Sequence, residues 1–326
     1  MNSTTNIPES RRPVRMMPAL LAVCALFAAA SALADHPPLH DANIVNHYAY
    51  HSALFEAKAD YYLGLANAHN LPTASARAAA RAEARSNLCE ALELAKDRLK
   101  ERRELSAELR ENRYNPVINP ADFLSVAEIV ASPNPYLPLI PGRTHHYRAE
   151  TDEGVETIAV TVTHQTREIL GVTCVVVRDI VKLNDNVVED TLDWLAQDRA
   201  GNVWYFGERV ADYDEDGLIV SLDGSFQAGD EYAQAGILMP AVPRVGRFYR
   251  QEYFLGEAED ASEILSLTES VTVPAGSFTG CLETEDFTPL EPDAEEFKYY
   301  ARGVGRVLEI NGQTGKRTEL IEVTEE

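Results

Sequence analysis

The stretch Thr157-Ile158-Ala159-Val160-Thr161-Val162-Thr163 decides the fold of this chain. Branched apolar residues alternate in it with threonine and alanine, which is the period-two pattern of a half-buried β-strand. The same alternation returns between Val172 and Val176, and turn-forming residues such as Asn184-Asp185-Asn186 separate the alternating segments. The sequence therefore predicts a meander of antiparallel strands over residues 143–326.

Two segments of different character precede the predicted sheet. Residues 115–142 contain six prolines, which exclude regular structure apart from a short helical piece, and enough apolar residues to pack as a connector along the sheet. Residues 35–114 place apolar side chains at spacings of three or four, with one break at Asn70-Leu71-Pro72. Two long helices joined by a short loop pair antiparallel, so this part predicts a helical hairpin.

Residues 1–34 have the pattern of an export signal. Three arginines precede an apolar run over residues 18–30, which ends near the small-residue cleavage pattern Ala32-Leu33-Ala34. The run is too short to span a bilayer as a permanent anchor. The sequence therefore predicts removal of residues 1–34, a periplasmic or extracellular location, and no integral membrane anchor.

The charge balance narrows the class of partner. The chain has 29 Lys+Arg against 52 Asp+Glu, which gives a formal net charge of -23. An acidic surface repels nucleic acid and anionic membranes, so both are excluded as main partners. Soluble partners, cations and neutral ligands remain.

Six short motifs follow one another between residues 134 and 310. They are NPYLPLIPG at 134–142, DWLAQD at 193–198, GNVWYFGE at 201–208, VPAGSF at 273–278, TPLEP at 288–292 and YYARGVG at 299–305. With these motifs the chain resembles a family of uncharacterised bacterial secreted proteins. The resemblance does not extend over the helical hairpin.

The resemblance implies an architecture more than an activity. Members look like a curved antiparallel sheet or incomplete barrel, similar to bacterial half-barrels that carry lipid or lipoprotein chains, and the family supplies no catalytic residues to transfer. We therefore expect an α+β fold, in which an N-terminal helical hairpin precedes a large antiparallel sheet curved into a half-barrel or open barrel. The expected function is non-catalytic binding of an apolar or amphipathic small molecule or lipid on the concave face, with no required cofactor.

The candidate binding residues cluster around both tryptophans of the chain. Inward-facing aromatic and aliphatic side chains of a curved sheet could line a cavity, with acids as polar anchors at its mouth. Alternatively, the same aromatic residues fill a core and pack against the proline-rich connector. The predicted ligand-binding residues are Val160, Val176, Asp193, Trp194, Trp204, Phe206 and Glu208.

Histidines near the N-terminus give an alternative function, metal binding. His47 and His51 are one helical turn apart, a spacing that can point both imidazoles at one copper or zinc ion, and His36 and His40 could join them. Against a site, His51 lies on the apolar stripe of the predicted helix, and two ligands do not define a closed site. A third alternative is a structural or adaptor module that docks a protein partner through the hairpin.

Catalytic motifs and cysteines give little further evidence about the function. The chain contains neither the Gly-x-Ser-x-Gly motif of α/β-hydrolases nor the His-Glu-x-x-His motif of zinc proteases, so the sequence favours a protein that is not an enzyme. Cys174 and Cys281 both fall in predicted strands and are the candidate pair for a disulfide in an oxidising compartment. Unpaired buried thiols are the alternative.

Overall fold

The computed structural model describes residues 41–326. The predicted signal peptide, residues 1–34, lies outside this part of the chain. Between residues 41 and 326, no helix is both long enough and apolar enough to cross a membrane.

Two long helices form the N-terminal hairpin, α1 at Asp41–His69 and α2 at Ala74–Leu109. The second helix begins where Thr73 accepts a hydrogen bond from the backbone N–H of Ala76 at 3.1 Å, which satisfies one free donor of the first turn. It ends at Arg110, whose backbone is left-handed with φ 52°. The two helices pack along each other, and the predicted hairpin is confirmed.

A buried ion pair attaches the hairpin to the sheet. The Arg102 guanidinium of α2 donates to both carboxylate oxygens of Glu259 at 2.8 and 2.6 Å, and both side chains are almost fully buried. A bidentate pair of this kind fixes orientation as well as contact. Nearby, the Arg250 guanidinium donates to the Glu111 carboxylate at 3.1 Å.

The rest of the chain forms an antiparallel sheet of 16 strands. The strands are β1 Arg143–Thr151, β2 Gly154–Ile169, β3 Val172–Leu183, β4 Asn186–Gln197, β5 Val203–Arg209, β6 Asp212–Tyr213, β7 Ile219–Ser221, β8 Phe226–Gln227, β9 Gln234–Met239, β10 Phe248–Arg250, β11 Glu252–Tyr253, β12 Ala261–Val273, β13 Gly276–Phe287, β14 Glu295–Ala301, β15 Gly305–Asn311 and β16 Arg317–Glu325.

The sheet is curved but does not close into a barrel. Its order is β10-β12-β13-β14-β15-β16-β1-β2-β3-β4-β5-β9-β11, with β6, β7 and β8 attached beside this path. The strands at the two ends, β10 and β11, are separated by Gln251 alone, so one chain segment joins both ends of the sheet. The predicted α+β fold with an open, curved antiparallel sheet is confirmed.

The connector crosses one end of the sheet and packs on both of its faces. It contains a single 3-10 turn at Pro120–Asp122 and the short helix α3 at Val126–Ala131. Phe123 packs on the outer face, whereas Ile129 and Leu139 lie in the core on the inner face. The connector therefore fills one end of the open barrel, and the remaining inner space lies beyond it.

Candidate ligand-binding cavity

A cavity of about 300 Å³ lies on the inner face of the sheet. Its lining comes from both ends of the strand order, with residues of β4, β5 and β9 facing residues of β13 and β14. Such a lining is possible because the sheet curls until its ends approach each other. Connector residues 137–139 complete the wall.

Strand pairing determines which side chains reach the cavity. Val162 pairs with Val177, Val177 pairs with Asp193, and all three line the cavity because directly paired residues share one face of a sheet. Leu195, two residues after Asp193, lies on the same face.

A bulge in β5 brings one further acid to this face. Asp193 pairs with Glu208 and Leu195 pairs with Tyr205, so β5 has one residue more than β4 between these pairs. The extra residue lets both Tyr205 and Glu208 face inwards although they are three positions apart. Gly207 adopts φ 132° here, and a Cβ on it would lie 2.2 Å from the backbone oxygen of Phe226, so only glycine fits.

The cavity rests on an apolar layer. Buried aliphatic and aromatic residues of the connector, β2, β3, β4, β5 and β14 belong to one core cluster, and several of them also line the cavity. These shared residues are Leu139, Val162, Val177, Leu195, Tyr205 and Tyr300.

Six carboxyl groups also line the cavity. They are Asp179, Asp193, Glu208, Glu252, Asp260 and Asp286.

Burial changes the proton affinity of most of these acids. It raises the pKa of Asp193 to about 6, although the Tyr205 hydroxyl, which donates to Asp193 Oδ1 at 2.7 Å, opposes the shift. Burial also raises the pKa of Glu208 to about 8, and the neighbouring Asp193 carboxylate adds to the effect. For Asp179, burial raises the pKa to about 7 against the attraction of Arg306. Removing water from a carboxylate disfavours its charged form, which is the common cause.

Glu252 and Asp260 follow the same rule. Burial raises the pKa of Glu252 well above its ordinary value, and the Asp260 carboxylate adds to this shift. Burial likewise raises the pKa of Asp260, opposed by Lys298. Several acids of the cavity wall therefore favour their neutral, protonated form more than they would in water.

Both cationic side chains at the cavity already have carboxylate partners. Lys298 Nζ lies 3.0 Å from Asp286 Oδ2 and 3.1 Å from Glu296 Oε2. Burial alone would lower the pKa of Lys298, but these two carboxylates and Glu309 raise it well above its ordinary value. Arg306 forms an ion pair with Glu309 through Nη1.

Some buried polar atoms have no hydrogen-bond partner among the described residues, and of the residues that carry them only Asp286 and Asp179 line the cavity. Tyr249 pairs with Ser262 and Ser262 pairs with Asp286, so these three residues form a row across the strands, and Thr284 lies two positions from Asp286 on the same face. The atoms without a partner among residues 41–326 include Tyr249 OH, Ser262 Oγ, Thr284 Oγ1 and Asp286 Oδ1 in this row, and Asp179 Oδ1 on β3.

The predicted binding residues divide between the two faces of the sheet. Val160, Asp193 and Glu208 line the cavity. Four others lie on the outer face, because they alternate along their strands with residues that face inwards. They pack in a second core cluster with Phe123 of the connector. These four are Val176, Trp194, Trp204 and Phe206. For these four residues, the structure shows the filled core that the sequence left open as an alternative.

The histidines of the first helix lie close together. The rings of His47 and His51 have centroids 4.3 Å apart, as their spacing on a helix predicts. No group of three possible metal ligands occurs among residues 41–326. His36 and His40 lie outside the described residues, so the copper or zinc site stays a prediction.

The structure does not form the candidate bridge between Cys174 and Cys281. Both are free buried thiols, and they belong to separate core clusters, one on the outer face near β3 and β4 and the other around β12, β13 and β15. Sharing strand periodicity does not bring two cysteines close enough for a disulfide.

Most of the polar cavity wall does not stand out in the sequence. Isolated charges in strands of an acidic chain are common, and Asp179, Asp286, Lys298 and Arg306 are of this kind. One signal was present: Asp179 falls on the same alternating positions as Val175, Val177 and Val181, a set that is otherwise apolar and where a charged residue would not be expected.

The hairpin presents an exposed aromatic row, which is relevant to the predicted protein partner. Tyr48, Phe55 and Tyr62 are spaced by seven residues along α1 and are 64 %, 66 % and 68 % exposed. Nothing in the described part of the chain covers them, and docking of a partner there stays a prediction.

Neither a protein-family model, nor a curated protein, nor a solved structure matches this chain. The resemblance to a secreted bacterial family therefore stays a prediction, and the cavity itself is the main evidence for function.

Proposed function

We propose that this protein is a non-catalytic binding protein that acts outside the cytoplasm and holds a small amphipathic molecule in the inner cavity of its sheet. The observation that carries the proposal is a cavity with two kinds of wall, one aliphatic and aromatic, the other acidic with unpartnered polar atoms. Pockets that bind small molecules combine a largely apolar lining with a few convergent polar groups.

The size of the cavity favours a small molecule. Ligand pockets range from roughly 300 to 1,000 Å³, and the inner cavity, about 300 Å³, is at the lower end. A whole diacyl lipid needs more room, so a compact amphipathic molecule is the better fit. The location outside the cytoplasm rests on the signal peptide predicted from residues 1–34.

The energetics of the polar wall support an occupant. A buried donor or acceptor without a partner costs about 1–3 kcal/mol, and two such atoms, Asp179 Oδ1 and Asp286 Oδ1, belong to residues that line the cavity. A bound molecule that supplies hydrogen-bond partners to these atoms offsets this cost. Its apolar part can cover Val160 and Leu195, which line the same cavity.

Native mass spectrometry of the protein purified from its own exported fraction tests the proposal. We expect an excess mass of one small organic molecule that disappears on denaturation. Val177→Phe should abolish the excess, because a phenyl ring at this cavity-lining position occupies the space of the ligand. The same substitution at the exposed Val187 is the matched control and should retain it.

Two results would contradict the proposal. One is wild-type protein without any excess mass. The other is an excess that survives in Val177→Phe, since a ligand bound elsewhere would not respond to the filled cavity.

A further inference from the structure

We infer that the ligand of this cavity is an organic cation, whose protonated amine lies against Asp286 and Asp179 while its apolar part covers the aliphatic wall. The inference rests on the binding function proposed above and names the chemical class of the ligand.

The charge balance of the wall is the first support. Six carboxyl groups line the cavity against two permanent cations. Lys298 is paired with Asp286 and Glu296, and Arg306 is paired with Glu309, so neither is available to an anionic ligand. The one histidine of the wall, His145, contributes no cation, because burial lowers its pKa and its Nε2 lies 2.7 Å from the backbone oxygen of Val304.

The unpartnered oxygens are the second, independent support. Asp286 is only 6 % exposed and lines the cavity; its Oδ2 is bound by Lys298 and Gln251, whereas Oδ1 has no partner among the described residues. Asp179 Oδ1 is equally buried and unpartnered. A carboxylate oxygen accepts hydrogen bonds only, and an ammonium group donates three, so the two chemistries are complementary.

An anionic ligand would add a further negative charge to the acidic wall, and burying an unpaired charge is far more costly than burying a paired one.

The raised pKa values of the cavity acids also support a cationic ligand. Burial raises the pKa of five of the six acids, from Asp193 at about 6 to Glu208 at about 8 and Glu252 well above its ordinary value, so some of them hold protons at neutral pH. A bound cation favours the ionised form of a nearby carboxyl. Binding of an amine should therefore release protons, whereas binding of a neutral molecule should not.

Isothermal titration calorimetry with three six-carbon probes tests the inference. The probes are hexylamine, 1-hexanol and hexanoate, which share one apolar chain and differ in the charge of the head group. At pH 7 we expect hexylamine to bind at least about tenfold more tightly than 1-hexanol, and hexanoate more weakly still. Repeating the hexylamine titration in buffers of different ionisation enthalpy should show proton release.

Two variants locate the amine. Asp286→Asn should weaken hexylamine binding by about tenfold or more and leave 1-hexanol binding unchanged. Glu285→Gln removes the neighbouring charge of the same strand, which lies on the opposite face near the hairpin acids, and should change neither affinity. If Asp286→Asn unfolds, Asp179→Asn on β3 provides the same comparison.

The outcomes separate the inference from the proposed function. Equal binding of the three probes would overturn the cationic ligand and leave the binding cavity standing. Tighter binding of hexanoate, or an unchanged hexylamine affinity in both Asp286→Asn and Asp179→Asn, would do the same. Failure of all three probes to bind would count against both.

Discussion

Strands β3, β4 and β5 send successive side chains to opposite faces of the sheet. The two faces differ in how completely side chains fill the space next to them. On the outer face, Phe123 of the connector lies with its ring centroid 5.4 Å from Phe206 and 6.0 Å from Trp204. On the inner face, valine, leucine and acidic side chains surround a cavity of about 300 Å³. Large aromatic residues with a matching partner close a core, whereas acids that repel one another leave it open.

The outer face also satisfies its polar atoms, which the inner face does not. Trp204 Nε1 donates to Asp198 Oδ2 at 2.9 Å, and the Arg167 guanidinium covers the Trp194 ring at 4.0 Å. The inner face retains unpartnered oxygens at Asp179 and Asp286. The outer face therefore stabilises the fold, and the inner face is the side on which a ligand can add stability.

The largest expected effect is on the outer face. Phe206→Ala removes a fully buried ring and should lower the free energy of unfolding by about 3–5 kcal/mol, measured by urea denaturation. Phe55→Ala, the same substitution at an exposed position of α1, should change it by less than about 0.5 kcal/mol. A small effect at Phe206 would mean that the outer face is not a closed core.

Adjacent positions of β3 give the sharpest comparison of the two faces. Val176→Phe adds volume to the filled outer face and should destabilise the protein by about 1–3 kcal/mol. Val177→Phe adds the same volume to the cavity wall and should cost clearly less, because the space exists. Thermal or urea unfolding of the ligand-free variants measures the difference; equal losses would contradict an open inner face.

The acids of the inner face predict a pH dependence of stability. Burial raises the folded pKa of Glu208 to about 8 and of Asp179 to about 7, so between about pH 4 and 8 the folded protein binds more protons than the unfolded chain. The free energy of unfolding should therefore fall as the pH rises through this range. Glu208→Gln should make the fall smaller, measured by urea denaturation at several pH values.

The control for this effect is an acid outside the cavity. Glu168→Gln, at an exposed position of β2, should leave the pH dependence unchanged. A wild-type stability that rises between pH 5 and 8 would show that the inner acids are ionised and compensated in the folded protein.

The smallest expected effect concerns the cysteines. Because Cys174 and Cys281 are free, a reducing agent should leave the unfolding temperature unchanged. Burial raises the pKa of Cys174 to about 12 and also raises that of Cys281, so a thiol reagent should modify the exposed Cys89 first in the native protein. Rapid modification of Cys174 would indicate that the outer face opens.

Periodicity predicted the strands well, because a strand pattern depends on local alternation. It could not identify the inner face, because both faces of β3 to β5 are apolar: Val175 and Val177 pack on one side, and Cys174 and Val176 on the other. The connector packs against both faces of the sheet, and its path could not be predicted from local patterns. The path depends on contacts between residues distant in sequence, such as the hydrogen bond from Asn134 N to Gln197 Oε1.

The bulge in β5 illustrates what alternation alone cannot predict. Strict alternation from Tyr205 would place Glu208 on the outer face, and only the extra residue at Gly207 turns it inwards. Asp286, Lys298 and Arg306 reach the cavity because the far end of the sheet curls back, which no local pattern encodes.

The pairing of β1 with β16 has a consequence for how the sheet assembles. Most neighbouring strands in it are also neighbours along the chain, but this ladder joins Arg143 to Glu325. It connects two meanders, one from β1 to β5 and the other from β12 to β16. Contacts of such large sequence separation form late and slow folding, so a chain that lacks its last strand would hold two meanders without the ladder between them. The continuity of the curved sheet around the cavity therefore depends on the pairing of β16 with β1.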